Sequence, residues 1–302
     1  MLMKGIFFVV SFWLSPILLV AYFLPRSIKR QIMLGFFSII DKPERVRPYE
    51  DHVLPHGPLV QHYNNLWSLT GSLPKHGPIL PRNMVIYRMP GTNQLVVHSP
   101  VCVSEDVATE IESLGEISYI IVPNRGHRLD CIPWAERYPN AKVLTPSFAR
   151  NYVKNRVPEC IDCESEMSEF STSPSASKMP GVRYMRIGHE QFELAYFLSL
   201  EGTSKPNSLA VVVCDTFFNL NKANAHWFTR LMGSADGFGM TKLGVIMADD
   251  LKMILEWVCK LRDGCQKMPI ESIFMAHGDP ILGNDKVEMA LNRSIYKLMR
   301  TI

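Results

Sequence analysis

The chain has 302 residues, 47% of them hydrophobic and 20% charged, which is ordinary for a folded globular protein. The 32 basic and 29 acidic residues leave a formal net charge of +3, and no basic stripe with interleaved aromatic residues is present, so nucleic acid is not expected as a partner. The 7 cysteines are odd in number and scattered, which argues against a secreted disulfide framework and predicts a globular part facing a reducing compartment.

The first predicted element is an apolar segment over residues 5–24 that contains no charged residue. A helix needs about 20 such residues to cross the hydrocarbon core of a bilayer, so the length fits a transmembrane helix. A cleaved signal peptide is the alternative, but no small-x-small cleavage site follows Ala21. We therefore predict that residues 1–25 form a single-pass anchor in the lipid bilayer.

The charges on either side of this segment predict its orientation. Arg26, Lys29 and Arg30 follow it, whereas Lys4 alone precedes it. Positively charged flanks stay on the cytoplasmic side of a membrane, so we expect the rest of the chain to face the cytoplasm.

A juxtamembrane segment and an extended arm are expected next, over residues 26–64. Residues 41–81 are rich in proline, histidine and glycine and show little hydrophobic periodicity, which is typical of an extended arm. A short strand over residues 65–69 is expected to open a globular domain over residues 65–302.

Strands and helices alternate from residue 84 onwards. Apolar runs predict strands over residues 84–88, 94–98, 118–122, 142–144, 182–187, 192–200, 209–214 and 270–276. Helical periodicity predicts a helix capped by Ser104 and ended by Gly115, helices over residues 130–138 and 249–262, and a last helix with a capping box of Asp285 and Glu288. Residues 164–178, dominated by Ser, Glu and Pro, are expected to form a surface loop. The alternation predicts an α/β fold.

Potential metal ligands follow three of the apolar strands. His127 and Asp130 come after the first, Asp215 after the second and His277 after the third. Functional groups collect where strands end in layered α/β folds, and histidine with carboxylate is the usual ligand set for zinc, iron or manganese. Taken alone, Asp215 is explained more simply as a residue that caps a turn, and His277 as a histidine of the core. Their joint placement favours a divalent-metal site.

These segments resemble the metallo-β-lactamase-like superfamily. The resemblance rests on the strand order, on Pro-Asn-x-x-His at residues 123–127, on Val-Val-Cys-Asp-x-Phe-Phe-Asn at residues 212–219 and on Ala-His-Gly at residues 276–278. It is closer to one divergent branch, an uncharacterised family known as a domain of unknown function. Over residues 65–302 the resemblance implies a four-layered αββα sandwich, with any metal site at one edge of the paired sheets.

The resemblance also implies positions for the ligands. The superfamily's His-x-His-x-Asp-His motif should lie in the loop after the strand over residues 118–122, where only His127 and Asp130 remain as ligands. Asp215 and His277 match the bridging aspartate and the last histidine. The metal set implied is therefore His127, Asp130, Asp215 and His277.

Four further residues are implied to line the cleft or to support the ligands. The superfamily's Gly-His motif matches His189, with Glu193 as an equal candidate for that role. His98 replaces the usual aspartate at the exit of a strand, and Asn124 stands where the first metal motif would begin.

The ligand set is incomplete for the superfamily's common two-metal site, so a single ion with an open position is expected. This predicts a membrane-anchored, single-metal hydrolase acting on a small-molecule substrate. A non-catalytic pseudoenzyme or binding scaffold on the same fold is the alternative. An acyl-ester enzyme without metal is disfavoured, because no Gly-x-Ser-x-Gly elbow is present and Ser99 lacks the context that exposes a nucleophile.

Overall fold

The structure is a computed structural model of the chain. It describes residues 24–40, 47–73, 77–170, 177–188, 193–221, 223, 229–230, 237–264 and 268–302.

The chain divides into two compact units, Met1–Pro43 and Glu44–Ile302. The first unit contributes one described helix, α1, Arg26–Ile40. Nearly all of the predicted membrane segment, residues 5–23, lies outside the described residues. Within the described ranges, no helix is both long enough and apolar enough to span a bilayer. The anchor therefore stays a prediction.

The second unit contains a seven-stranded sheet, sheet 1. Its strands, in spatial order, are β1 Val60–Tyr63, β2 Leu66–Leu73, β3 Gly77–Arg88, β4 Gln94–His98, β5 Glu116–Ile121, β6 Lys142–Thr145 and β7 Ile161–Asp162. Strands β1 to β4 pair antiparallel, and β4 to β7 pair parallel.

A second sheet, sheet 2, has six strands in the order β15-β14-β11-β10-β9-β8. They are β8 Ser168–Glu169, β9 Val182–Arg186, β10 Leu194–Ser199, β11 Leu209–Val212, β14 Ile270–Phe274 and β15 Ile281–Leu282. Strands β11 and β14 run parallel. A separate ribbon pairs β12 Phe218–Leu220 with β13 Gly237–Gly239.

Helices connect and cover the strands. They are α2 Glu105–Leu114, α3 Cys131–Arg137, α4 Arg150–Lys154, α5 Cys163–Glu166, α6 Lys242–Met247, α7 Leu251–Gly264 and α8 Asn284–Met299, with short 3-10 turns at Tyr49–His52, Arg125–His127 and Ser147–Ala149.

Three hydrophobic cores order these elements into layers. The central core joins the facing sides of the two sheets, with Val85 and Ile121 from sheet 1 and Tyr196 from sheet 2. A second core packs the outer face of sheet 1 on α2 and α3, through residues such as Trp134. A third packs the outer face of sheet 2 on α7 and α8, through residues such as Ile254. The order helix, sheet, sheet, helix agrees with the predicted α/β class.

The predicted strands from residue 84 onwards are present, most with ends shifted by one or two residues, while the first begins seven residues earlier, at Gly77. The buried stripe of α7 contains Leu251, Ile254, Val258 and Leu261, as its periodicity predicts. The described cysteines are all free, although most of them are buried.

Two segments differ from the predictions because neighbouring strands impose their conformation. The second half of the predicted arm at residues 41–81 contributes strands to sheet 1, and β2 alone spans Leu66–Leu73. The predicted loop at residues 164–178 contains β8, whose residues pair with Arg183 and Tyr184 of β9. Edge pairing of such short strands leaves little trace in composition.

The two predicted side-chain caps are wrong. The hydroxyl of Ser104 makes no capping hydrogen bond, although the residue does precede α2. Helix α8 begins two residues earlier than expected, after Gly283, so Asp285 lies inside its first turn. A carboxylate there still favours the helix through the positive end of its dipole.

Candidate metal centre

Four strand ends meet at one edge of the two sheets. Strands β4 and β5 run parallel in sheet 1, as do β11 and β14 in sheet 2, so the carboxyl ends of each pair lie side by side. Asn83 of β3 links the sheets here, because its amide donates to the carbonyl oxygens of Met275 at 2.9 Å and Gly278 at 2.6 Å. The loops that leave these strands therefore share one site.

His127, Asp215 and His277 come together at this edge. Asp215 Oδ1 lies 3.1 Å from His127 Nε2 and 3.0 Å from His277 Nε2. One ligand atom from each residue lies within 4.8 Å of the others. Both histidines are buried, but the side chain of Asp215 is 30% exposed, so the group is reachable from solvent through the carboxylate.

Each member of this group is held by a further contact. Ser99 Oγ lies 2.7 Å from His127 Nδ1, and the carbonyl oxygen of Pro81 lies 2.6 Å from His277 Nδ1. Asn124 Nδ2 donates to Asp215 Oδ2 at 2.7 Å, while Asn124 Oδ1 accepts from the backbone of His127. Such contacts fix the orientation of metal ligands in proteins.

The hydrogen bond to Pro81 determines the tautomer of His277. A carbonyl oxygen only accepts, so His277 Nδ1 must carry a proton. Neutral His277 then points the lone pair of Nε2 at Asp215 Oδ1, 3.0 Å away. Two lone pairs repel at this distance, so the contact requires a positive charge, either a second proton or a metal ion.

The three donor atoms fit a divalent metal ion. Zinc bound at about 2.0–2.2 Å by nitrogen and oxygen has tetrahedral ligand atoms about 3.4 Å apart. The two separations from Asp215 Oδ1, 3.0 and 3.1 Å, are close to this value. Two histidines and one carboxylate occur in zinc sites with an open position and in non-haem iron sites. The chain therefore has a group able to hold a divalent metal.

The electrostatics of His127 and Asp215 favour the protonation states that metal binding needs. Burial lowers the pKa of His127, so that imidazole is neutral near pH 7. Desolvation alone would raise the pKa of Asp215, but its contacts with His127 and His277 hold it well below its usual value. A neutral imidazole and an ionised carboxylate are the forms that bind a cation.

Glu193 holds the backbone around Asp215. Its buried carboxylate accepts hydrogen bonds from the N–H groups of Cys214 at 3.1 Å, Thr216 at 3.0 Å and Asp215. Burial, together with the negative charge of Asp215, raises the pKa of Glu193 to about 7. Both carboxylate oxygens are engaged by this loop, so Glu193 positions Asp215 and is not a member of the ligand group.

Asp130, the remaining predicted ligand, lies in a separate ion pair. Its Oδ2 accepts from Arg82 Nη2 at 2.6 Å and from the backbone N–H of Cys102 at 3.0 Å. Both charged side chains are almost fully buried. The structure thus brings together three of the four predicted ligands, and gives Asp130 a role in fixing the loop that carries His127.

The other predicted cleft residues have different surroundings. His98 ends β4, where its ring meets that of Tyr196 edge-on at 5.2 Å, and its buried Nε2 has no hydrogen-bond partner. Burial lowers the pKa of His98 to about 3. Asn124 supports Asp215, as described above. His189 lies outside the described residues.

The same contacts also form a Ser–His–Asp chain, Ser99 to His127 to Asp215. Ser99 has a positive φ of 57°, which is uncommon for a residue other than glycine. However, Ser99 is only 1% exposed, and the next residue is Pro100, which has no N–H to stabilise an oxyanion. A supporting role for Ser99 toward His127 therefore fits better than a role as nucleophile.

Sequence reasoning missed the supporting residues Pro81, Arg82 and Asn83. All three lie on β3, a strand with no ligand of its own. Pro81 acts through its carbonyl group, which leaves no signal in side-chain chemistry. A buried Arg-Asn pair inside a strand is the one signal that would have pointed to this role.

No protein-family model matches the chain, and no curated protein sequence matches it. Among solved structures, the chain is similar to a metallo-β-lactamase from Hirschia baltica, with a TM-score of 0.50 and 14% sequence identity over 79% of this chain and 97% of that chain. This likeness shows a shared fold.

Two further similarities are to a metallo-β-lactamase from Pontibacter korlensis and to the mono-zinc form of the metallo-β-lactamase FIM-1 from Pseudomonas aeruginosa. The first has a TM-score of 0.49 and 12% identity over 81% of this chain and 99% of that chain. The second has a TM-score of 0.49 and 13% identity over 83% of this chain and 98% of that chain.

Proposed function

We propose that the chain is a hydrolase that uses one divalent metal ion held by His127, Asp215 and His277. The observation that carries the proposal is the position of Asp215 Oδ1 between two imidazole Nε2 atoms, one of them on a ring whose Nδ1 is engaged by the carbonyl of Pro81. Zinc, iron and manganese all accept this donor set. When bound, such an ion supplies Lewis acidity toward substrate and water.

The chain's own residues orient the donors and leave room beside them. Ser99 and Pro81 fix the two imidazole rings, and Asn124 occupies Asp215 Oδ2, which leaves Oδ1 for the cation. Gly126 is exposed, and a Cβ there would lie 3.6 Å from Asp215 Oδ2. The missing side chain leaves space for a small-molecule substrate next to the carboxylate.

Metal analysis of the full chain tests the proposal. After incubation with zinc, iron or manganese and removal of free ion, the protein should hold about one ion per chain. Asp215→Ala should lose it, because the variant removes the shared oxygen. Asp279→Ala, an exposed aspartate two residues beyond His277, should keep it.

Turnover of an ester panel should depend on the ion and disappear in Asp215→Ala but not in Asp279→Ala. A purified chain that neither contains nor takes up a divalent metal would end the proposal.

A non-catalytic scaffold is the second candidate, and one observation favours it. Asn124 and Gly126 stand where the superfamily resemblance implies ligands, and the amide of Asn124 occupies one oxygen of Asp215. These contacts are what we expect of a former metal site whose remaining polar groups hydrogen-bond to one another. Metal-dependent turnover abolished by Asp215→Ala would exclude this candidate.

The membrane anchor and its cytoplasmic orientation belong to the same proposal. They are supported by the uncharged run over residues 5–24 and by the basic residues after it. The assignment to a divergent branch of the superfamily is likewise proposed, on the motifs at residues 123–127 and 212–219. Extraction of membranes at high pH tests the anchor, since a spanning protein should stay with the lipid.

A further inference from the structure

Exposed apolar side chains concentrate at the C-terminal helix, α8. Among the described residues, eleven large hydrophobic residues are exposed, and five of them lie between residues 282 and 302: Leu282, Met289, Tyr296, Met299 and Ile302. The three on α8 itself, Met289, Tyr296 and Met299, are 64%, 61% and 66% exposed. Single exposed apolar residues are ordinary, but a group of them on one element indicates an interaction surface.

The exposed residues of α8 form a stripe along one face of the helix. Met289 and Tyr296 are seven residues apart. Each is followed three residues later by another exposed residue, Asn292 and Met299 respectively. This spacing of three and four residues is typical of a helix face that packs on a second helix. The opposite face of α8 is buried against the protein, through Val287, Leu291, Ile295 and Leu298.

The two ends of the stripe carry opposite charges. Asp285 lies four residues before Met289, and Arg300 lies four residues after Tyr296. Both charged residues are exposed. Arg300 lies over the stripe, because its Nη1 donates to Tyr296 Oη at 3.0 Å and its guanidinium carbon is 5.2 Å from the centroid of that ring. Read from either end, the face presents a charge, two apolar anchors and the opposite charge at the same spacings.

We propose that this face of α8 binds a second copy of the chain, with the two helices antiparallel about a two-fold axis. The axis passes between residues 292 and 293. Met289 of each copy then packs on Tyr296 of the other, and Asp285 of each pairs with Arg300 of the other. A two-fold interface uses the same patch on both copies, so it requires the self-complementary spacing that this helix has.

The charges favour a second copy over an anionic lipid surface, since Asp285 would face a charge of its own sign there. The basic residue next to the axis is Arg293, and two like charges at the axis would repel each other. Its Nη1 lies 3.1 Å from the position that a Cβ at Gly237 would occupy, so this guanidinium is directed toward strand β13 of the ribbon. The axis is therefore left to Asn292 and to the apolar residues beside it.

Sedimentation equilibrium of the full chain in a neutral detergent tests the proposal. A contact between two single helices is at the small end of specific interfaces, so the parent should dimerise with a Kd in roughly the micromolar range. Met289→Lys should weaken dimerisation by about tenfold or more, because it places a charge in each apolar contact. The matched control is Val60→Lys, at an exposed apolar residue of sheet 1, which should dimerise as the parent does.

Charge reversal at the ends of the stripe identifies the antiparallel pairing. Asp285→Arg and Arg300→Asp should each weaken dimerisation by about tenfold, since both end contacts then join like charges. An equimolar mixture of the two variants should regain the affinity of the parent, because each end contact again joins opposite charges. This recovery would also show that both variants are folded. In a parallel dimer, like charges already face each other in the parent, so the single variants would not be weaker.

Three results would overturn the proposal. The first is a parent chain that stays monomeric up to about 100 µM, which would leave the face to a lipid surface or to a different protein. The second is a dimer that Met289→Lys does not weaken, which would place the contact elsewhere in the chain. The third is a mixture of the two charge variants that does not recover. None of these measurements needs a bound metal, so their outcome is independent of the proposed hydrolase.

Discussion

The two oxygens of Asp215 have different tasks. Oδ2 accepts from Asn124 at 2.7 Å, whereas Oδ1 lies about equally far from two imidazole nitrogens. This division explains why a single aspartate can both anchor its loop and serve a cation. It also explains why the group suits one ion, since the second oxygen is already engaged.

Ser99 provides the sharpest prediction at this scale, because its two possible roles give opposite results. If Ser99 only orients His127, Ser99→Ala should weaken metal affinity by about 10–100-fold, as loss of a supporting partner does, and turnover at saturating metal should persist. If Ser99 is a nucleophile, the variant should lose all turnover, and the parent activity should survive a chelator. Metal titration and activity measured with and without chelator distinguish the two.

Glu193 predicts a pH dependence for the metal-free protein. Its pKa is about 7 in the folded chain against 4.5 for an ordinary glutamate. Because the folded value is raised, its contribution to stability is fully present below about pH 4.5 and is lost as the pH rises through about 7. The free energy of unfolding of the parent, relative to Glu193→Gln, should therefore fall by roughly 1–3 kcal/mol across this window.

Urea unfolding of both chelator-treated proteins at several pH values measures this difference. Glu193→Gln is the control for the parent, because the two proteins share every other titrating group. A difference that is constant, or that grows with pH, would contradict the assignment.

At the level of elements, the site depends on how each strand ends. The loop after β14 turns sharply at Gly278, which has φ 106°, and a Cβ there would overlap the backbone carbonyl of Asn219. This turn lets the ribbon strand β12 approach His277, through an isolated bridge between Asn219 and Gly278. The position of the last ligand is thus tied to a conformation that only glycine adopts easily.

Gly278→Ala should destabilise the protein by about 1–3 kcal/mol or more, because it combines backbone strain with a steric clash. It should also weaken metal binding by displacing His277. Gly264→Ala is the matched control, since a Cβ at Gly264 would meet no atom of the described residues within 4 Å. Thermal unfolding and metal titration of the two variants check the prediction, which fails if both behave alike.

The elements also show what the sequence made predictable. Period-two runs and the stripe of α7 located the strands and helices, because burial of one face leaves a periodic trace. The strands β1 and β8 left no such trace, since each is short and lies at or near a sheet edge. The cap at Ser104 failed only in its side chain, because the residue has the extended backbone of an N-cap but its hydroxyl makes no capping bond. The cap at Asp285 failed because the helix begins after Gly283.

Across the whole molecule, the layered fold converts distant residues into one site. His127 follows a strand of sheet 1, and Asp215 and His277 follow strands of sheet 2, yet packing of the two sheets brings their side chains into contact. The ligand residue types and their positions after strand ends predicted that these three side chains would lie together. Sequence spacing did not predict two contacts that depend on the folded structure. Asp130 forms an ion pair with Arg82, and Glu193 accepts hydrogen bonds from the backbone at residues 214–216.

X-ray absorption of the zinc-loaded full chain tests the central claim most directly. The account predicts two imidazole ligands and oxygen ligands at about 2.0–2.2 Å from a single zinc ion, with one imidazole lost in His277→Ala. A spectrum without imidazole scattering, or one unchanged in His277→Ala, would contradict it.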